Sequence, residues 1–326
     1  MKSIQSYKFL NMNKINYSIK EFGIVRNYIV PKYIKSKGST FQKTNKILGQ
    51  GGHGIVIEYQ DRYGNQIAVK TLNYAALCKN TSGFLTKLSK VDKIKKCSLK
   101  LVKQKCITQD NFRVGNRYIT VIVMEKMAGD ISNLINIKPP MKVKRDLIYN
   151  VTEAIMCLQE AGECFLDLKP QNVFYDINKR GRYIFKLGDL DGITVFNTSK
   201  SHQFTQYAGT TYPPPETWFA YSNNRRIKCT KTHTMWSLGL FILMVFIPEF
   251  NYNKFYWDHP NVKESSKREV KKLLKSIRNF ITPKKLPFLK TKDLNKIKNI
   301  FIIPSKQKRR PTLKSLYNIF CVQNCN

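Results

Sequence analysis

Carboxylates are what this chain has least of. Its 326 residues include 21 Asp and Glu against 57 Lys and Arg, a formal net charge of +36. An A+T-rich genome accounts for abundant Lys, Asn, Ile, Tyr and Phe, but it would raise Glu as well, so it leaves the deficit unexplained. A surface this basic attracts polyanions: nucleic acid, an anionic membrane face, or acidic protein substrates. Also missing is any C-x-x-C pair among Cys78, Cys97, Cys106, Cys157, Cys164, Cys229, Cys321 and Cys325, which removes metal-ligand spacing and makes a reduced intracellular compartment the simplest reading. The most apolar run, Trp236 to Pro248, offers about 12 residues before its proline, the length of a buried core helix, where a membrane span needs about 20. Met1 to Lys8 lacks the apolar run of a signal peptide. An intracellular protein, cytoplasmic or nuclear and with no transmembrane segment, is expected. No internal repeat or low-complexity linker divides the chain.

What is present suffices for a core: 42% of residues are hydrophobic, at a length that allows one large domain or two lobes. Residues 1–40 mix Lys, Asn, Ile and Tyr without periodicity and read as an extension, packed in part on the domain. From Phe41 the pattern turns strand-like and enters Ile47-Leu48-Gly49-Gln50-Gly51-Gly52-His53-Gly54-Ile55-Val56-Ile57. Gly49, Gly51 and Gly54 give G-x-G-x-x-G, where missing side chains let backbone amides approach phosphate. Ile55-Val56-Ile57 reads as a strand, so the segment is a strand-loop-strand flap or a plain glycine-rich hairpin, not the turn of a dinucleotide fold. Asp61 to Asn65 is a turn, and the strand Gln66 to Leu72 carries Lys70 sixteen residues after Gly54. Ile107 to Phe112 and Arg117 to Met124 form a hairpin pattern around Gly115-Asn116. Leu147, Val151, Ile155 and Leu158 recur at helical spacing, with Gly162 as the stop.

The chain is organised around Cys164-Phe165-Leu166-Asp167-Leu168-Lys169-Pro170-Gln171-Asn172-Val173-Phe174. It sets a carboxylate, an ammonium two residues on and a carboxamide five residues on in a segment closed by proline. Phosphoryl transfer needs these groups: Asp167 to orient a hydroxyl and accept its proton, Lys169 to neutralise the moving phosphoryl, Asn172 to ligate a metal. Alone, such a segment is equally an ordinary polar turn. Twenty-two residues after Asp167, the strand Tyr183 to Leu187 ends at Asp189.

These segments resemble, in order and spacing, the eukaryotic-type protein kinases, and D-L-K-P-Q-N has the form of their serine/threonine branch. The resemblance covers about 41 to 320 and implies an α+β, two-lobed protein-kinase-like fold. Its expected parts are a small β-rich lobe 41–124, a hinge 125–130 and a mainly helical lobe 131–320, flanked by the 1–40 extension and a 321–326 tail. It implies an ATP- and Mg²⁺-dependent transferase acting on protein Ser and Thr hydroxyls, acidic substrates included. Asp167 and Lys169 would be catalytic, and Asn172 and Asp189 would hold the metal. Lys70 would grip the α- and β-phosphates, with Gly49, Gly51, Gly54, Val56 and Ala68 around the nucleotide. The backbone of Glu125 and Met127 would meet the adenine edge with Met124 behind it. Asp130 would meet the ribose or a substrate base, or else simply cap the helix from Ile131 to Ile137.

Several positions depart from the family pattern. No Glu lies between Thr71 and Gln109 to hold Lys70, and Asp92 is the one acid there. Phe165-Leu166 replaces His-Arg; Phe165 fills the bulk of the His, whereas Leu166 cannot bind a phosphorylated loop, so activation-segment phosphorylation is not expected to be the switch. Leu190 and Asp191 stand for the Phe and Gly that follow the metal-binding Asp, Asp191 being the competing ligand and a plain β-turn carboxylate the other reading of Asp189, and Thr234 stands for the Asp that steadies the catalytic loop. Glu216 is expected to pair with Arg310 as a structural fork. An active serine/threonine kinase is the favoured reading. The alternatives are a pseudokinase scaffold that binds without turnover and a phosphotransferase for a small molecule, against which Gly209 to Glu216, a peptide platform in the family, argues.

Overall fold

The computed structural model describes residues 17–19, 21–36, 38–51, 54–72, 97–107, 113–114, 117–118, 120–165, 167–190, 193–195, 214–215, 231–251, 267–302 and 309–321. The chain divides into two units, Met1–Ala128 with Ile177–Arg182, and Gly129–Asp176 with Tyr183–Asn326.

The first unit is built on strands. β1 (Tyr17–Ser18), β2 (Phe22–Val25), β3 (Tyr28–Pro31) and β4 (Tyr33–Ser36) come from the segment expected to be an extension. β5 (Ser39–Gly51), β6 (Gly54–Gln60) and β7 (Gln66–Leu72) come next, then β8 (Gln104–Ile107), the short pair β9 (Arg113–Val114) and β10 (Arg117–Tyr118), and β11 (Thr120–Glu125). The main sheet runs β1-β4-β5-β6-β7-β11-β8 among the described residues. Side chains of a strand alternate between faces. One face of this sheet is therefore a near-continuous apolar layer of Ile55, Ile57, Tyr59, Ile67, Val69, Val121 and Val123. Residues before position 41 cover it: Ile19, Ile29, Val30 and Ile34 are all buried in that cluster. Tyr59 donates its hydroxyl to the Pro31 carbonyl, and burial pushes its phenol above the ordinary range, so the group stays a donor.

Two turns owe their shape to their residues. β2 and β3 pair antiparallel through Arg26 and Asn27, both left-handed at φ 45° and 68°, the geometry of a two-residue hairpin matched to strand twist. Between β6 and β7, the Asp61 carboxylate accepts N–H bonds from Tyr63 and Asn65 at 2.9 Å, and Gly64 takes φ 81°. Of the expected hairpin, Ile107 at the end of β8 pairs with Val121 of β11, but the short pair next to the turn is β9 with β10, and Arg113–Val114 of β9 lies beyond the strand expected to end at Phe112; residues 108–112, 115–116 and 119 lie outside the described residues.

The second unit holds β12 (Gly129–Asp130), α1 (Ile131–Asn136), α2 (Met141–Glu160), β13 (Glu163–Phe165), β14 (Val173–Ile177), β15 (Tyr183–Leu187) and β16 (Ile193–Val195). α3 (Lys231–Phe246), α4 (Lys267–Asn279), α5 (Thr291–Lys298) and α6 (Leu313–Phe320) complete it. The expected α2 stripe is buried, and Gly162 ends the helix at φ 79°, a conformation that costs a residue with Cβ about 1–2 kcal/mol. α3 is apolar on every side because it is enclosed. Trp236 is wholly buried and meets Phe301 edge-on at 5.2 Å, a burial worth about 4–6 kcal/mol at ~25 cal/mol/Å². Gly239 admits Ile300 so closely that a Cβ would lie 2.7 Å from its Cγ2. No helix among the described residues is long and apolar enough to cross a membrane.

One expectation is corrected. The cysteine spacing implies reduced thiols, yet no described cysteine is free, and Cys97, Cys157, Cys164 and Cys321 are disulfide-bonded. Pairing depends on which sulfurs the fold brings together, and spacing along the chain does not report it.

Candidate active site

The loop from Asp167 to Asn172 begins where β13 ends. Phe165 closes that strand opposite Ile193 of β16 and is fully buried, filling the internal position expected of it. Pro170 starts a single 3₁₀ turn, Pro170–Asn172, whose missing N–H is an orphan there in any case. Within this loop Lys169 Nζ lies 2.6 Å from Asp167 Oδ2. Asn172 Nδ2 donates to the Asp167 carbonyl at 2.8 Å and to Asp167 Oδ2 at 3.1 Å. Three side chains that are separate in sequence thus form one hydrogen-bonded cluster, with the carboxylate fixed by two donors. Because Asn172 is buried and turns its amide nitrogen toward Asp167, its side-chain oxygen is the atom offered elsewhere.

The Gly188 N–H donates to the Asn172 carbonyl at 2.8 Å, which brings the end of β15 against the loop. The next residue, Asp189, takes the left-handed conformation at φ 55°. This costs most side chains about 1–2 kcal/mol, and Asp is among the few that tolerate it. Leu190 is buried beside it. One carboxamide oxygen and one carboxylate on adjoining segments are donors of the kind a hard cation such as Mg²⁺ takes. Among the described residues no three His, Cys, Asp or Glu gather into an all-protein metal cage.

Thr234 is buried on α3, with its hydroxyl 3.6 Å from Cys164 Sγ. It therefore meets a side chain at the root of the loop. Asp130 caps α1, its Oδ1 accepting the Ser132 N–H at 2.8 Å. Arg310 is buried with its guanidinium 5.5 Å from the Trp236 ring. Leu166, Asp191, the segment 196–213, Glu216 and Asp92 lie outside the described residues.

In the first unit, sheet register collects the other candidates. Gly49 pairs with Val56, Val56 with Lys70, and Lys70 with Ile122, one row across four strands. Two residues along, Glu58, Ala68 and Met124 form the next row on the same face. Of the glycines, Gly54 is required by packing, since a Cβ there would sit 2.5 Å from the Thr71 carbonyl oxygen. Gly49 and Gly51 have nothing among the described residues within 4 Å of that position, so the described packing does not explain their lack of a side chain. The Glu125 N–H is committed to the Lys103 carbonyl at 3.0 Å, and its Oε1 accepts the Lys103 N–H at 2.7 Å. Any contact of the Glu125 backbone with a base edge therefore uses its carbonyl. Met127 is half-buried on the segment after β11.

Two features carry no motif that the sequence would show. Buried Glu58 pairs with Lys126 at 3.3 Å and Lys46 at 3.5 Å, anchoring the chain after β11 to the sheet. Its one signal is a lone carboxylate inside an apolar strand. The β2–β3 hairpin also reaches the glycine-rich segment: Tyr28 Oη donates to the Gly51 carbonyl at 2.8 Å, and Arg26 Nη1 to Gln50 Oε1 at 3.0 Å.

The chain belongs to the protein kinase domain family, whose model matches residues 42–320. It is similar to the ovarian-specific serine/threonine-protein kinase Lok of Drosophila melanogaster, 25% identical over 263 residues that span 74% of this chain and 53% of that protein. It is also similar to the serine/threonine-protein kinase DCLK2 of Mus musculus, 22% identical over 258 residues, 71% of this chain and 32% of the relative. A third relative, the receptor-like serine/threonine-protein kinase SD1-7 of Arabidopsis thaliana, is 24% identical over 177 residues, 53% and 20% of the two chains. The chain thus spans about half or less of the length of these relatives.

Proposed function

We propose that this chain is an active protein kinase that uses ATP and Mg²⁺ to phosphorylate Ser and Thr hydroxyls of protein substrates. The observation that carries the reading is the tie of Asp167 to Lys169 and Asn172 inside one short loop. When bound, ATP supplies the phosphoryl group and Mg²⁺ neutralises the charge upon it. Asp167 takes the proton of the acceptor hydroxyl as that oxygen bonds to phosphorus and the bond to the ADP oxygen breaks. Lys169 stabilises charge on the moving phosphoryl. Asn172 Oδ1 and the Asp189 carboxylate would hold the metal, and Lys70 the α- and β-phosphates. Gly49, Gly51 and Gly54 would present backbone amides; Val56, Ala68, the Glu125 carbonyl and the Met127 backbone would bound the base. Asp130 would offer its second carboxylate oxygen to the ribose. On this reading the domain covers 41–320, with 125–130 as the hinge between lobes.

Asp167→Asn tests it: nucleotide binding, followed by thermal shift with Mg-ATP, should persist while transfer to a peptide library falls by at least about a thousandfold, some 4 kcal/mol of barrier. Unchanged turnover would sink the assignment. The scaffold reading draws on Thr234, which puts a hydroxyl where the family keeps a carboxylate. It predicts Mg-ATP binding by the unaltered protein with no transfer at all.

An intracellular place of action, cytoplasmic or nuclear, is proposed with the function. The disulfide-bonded Cys97, Cys157, Cys164 and Cys321 weigh against this reading, and thiol titration of protein from its native setting decides it: free thiols support a reducing compartment, and a full set of disulfides would overturn it.

A further inference from the structure

α4 carries six Lys and Arg against one Glu, and the simplest reading of such a helix is a solvated charged face. Its surroundings argue otherwise. Lys271, Lys275 and Arg278 of α4 converge with Lys298 of α5 and with Arg309 on a concave pocket of about 680 Å³. Five cations meet there, and none of the described lining residues is acidic. The acid of α5, Asp293, is paired with Lys296, and Glu249 with Lys285; neither lies in the pocket wall. Like charges gathered around a concavity repel one another, and a low-dielectric wall focuses their field toward an anion. Half-buried Ile302 lines the pocket as well, together with the buried Leu274 and Phe301, so apolar surface sits among the cations.

We propose that this pocket is a docking site for an acidic protein segment, one that sets an apolar side chain against Ile302 and flanking Asp, Glu or phosphorylated residues against the surrounding cations. Charge complementarity selects the sign of the occupant, and the lining selects its class. A single nucleic acid strand is held by exposed aromatic platforms, whereas the one aromatic among the described lining residues, Phe301, is wholly buried. A duplex needs a broad basic face, and a concave pocket that sets cations beside apolar surface fits a few residues of peptide. The site shares no residue with the loop of Asp167, so the inference does not rest on phosphoryl transfer and is read without nucleotide.

The test is fluorescence anisotropy on the full chain with a short labelled peptide of Asp and Glu around one central Leu, at low salt and without ATP. Binding is expected, weakening as salt rises. The double variant Lys275→Glu/Arg278→Glu should reduce it by at least about tenfold. Lys275→Ala/Arg278→Ala, which introduces no new charge, should give a smaller loss in the same direction. Lys292→Glu, on α5 outside the pocket, should leave binding unchanged, with thermal melting verifying that each variant is folded. Absence of binding, an affinity indifferent to the α4 variants, or equal loss from Lys292→Glu would overturn the proposal. A single-stranded RNA of equal charge that binds more tightly than the peptide and competes with it would overturn it in favour of nucleic acid.

Discussion

Asp167, Lys169 and Asn172 are tied to one another within a single loop, whereas Gly49, Gln50 and Gly51 are tethered by Arg26 and Tyr28 from a hairpin more than twenty residues upstream. The first arrangement is local: a proline-initiated turn and two side-chain donors fix the carboxylate. The second is borrowed: the glycine-rich strand lacks side chains to hold itself and depends on another element. Self-contained geometry survives changes elsewhere in the fold, and borrowed geometry does not. Perturbing the loop should therefore strike chemistry, and perturbing the hairpin should strike nucleotide affinity.

After Asp167→Asn, the largest effect is expected at Asn172. Asn172→Ala removes both contacts to Asp167 and the oxygen offered to metal, and kcat should fall at least about a hundredfold, near 2.7 kcal/mol. Steady-state kinetics over a Mg²⁺ series would check it, with the Mg²⁺ requirement rising in the variant. A normal kcat would mean that the loop is not organised by its own side chains. Next is Gly54→Ala, which drives a Cβ into the Thr71 carbonyl and should destabilise the first unit by about 1–3 kcal/mol in urea unfolding. Gly49→Ala, with open space around it, should leave stability nearly unchanged but weaken nucleotide binding, separating the packing glycine from the ligand-facing one.

Tyr28→Phe is subtler. It deletes one exposed hydrogen bond of about 0.5–1.5 kcal/mol and should raise the KM for ATP a few-fold at constant kcat. A change in kcat alone would erase the distinction between loop and hairpin. The smallest expected effect belongs to the Asp61 turn. Burial opposes ionisation of Asp61, but hydrogen bonds from Asn65 and Tyr63 outweigh it and hold the carboxyl below its ordinary 3.8. A depressed folded value means that this stabilisation is complete above pH 3.8 and fades as pH falls below it. The melting difference between the unaltered protein and Asp61→Ala should therefore be constant at neutral pH and shrink under acid.

The same contrast explains what is legible in the sequence. The grouping of Asp167, Lys169 and Asn172 reads directly because all three lie within six residues of one another. The α2 stripe and its Gly162 stop read equally well, since helical period and a left-handed cap are local signals. The role of residues 17–36 does not, because Ile19, Ile29, Val30 and Ile34 matter only through an apolar sheet face made by strands far along the chain. Glu58 is silent for a similar reason: its partners, Lys46 and Lys126, stand 12 and 68 residues away. The cysteines are the plainest case, since chain spacing carries no record of which sulfurs meet. The basic helix α4 is visible as composition, and the concavity that gives its charges a common direction is not.

Arg26 occupies a left-handed turn position where Gly or Asn would sit without strain, at a cost of about 1–2 kcal/mol. Its guanidinium is also what grips Gln50. Arg26→Gly would therefore relax the hairpin and release the strand beside it in the same stroke, yielding a sturdier protein with a looser hold on its nucleotide. At this one residue, durability and grip are set against each other.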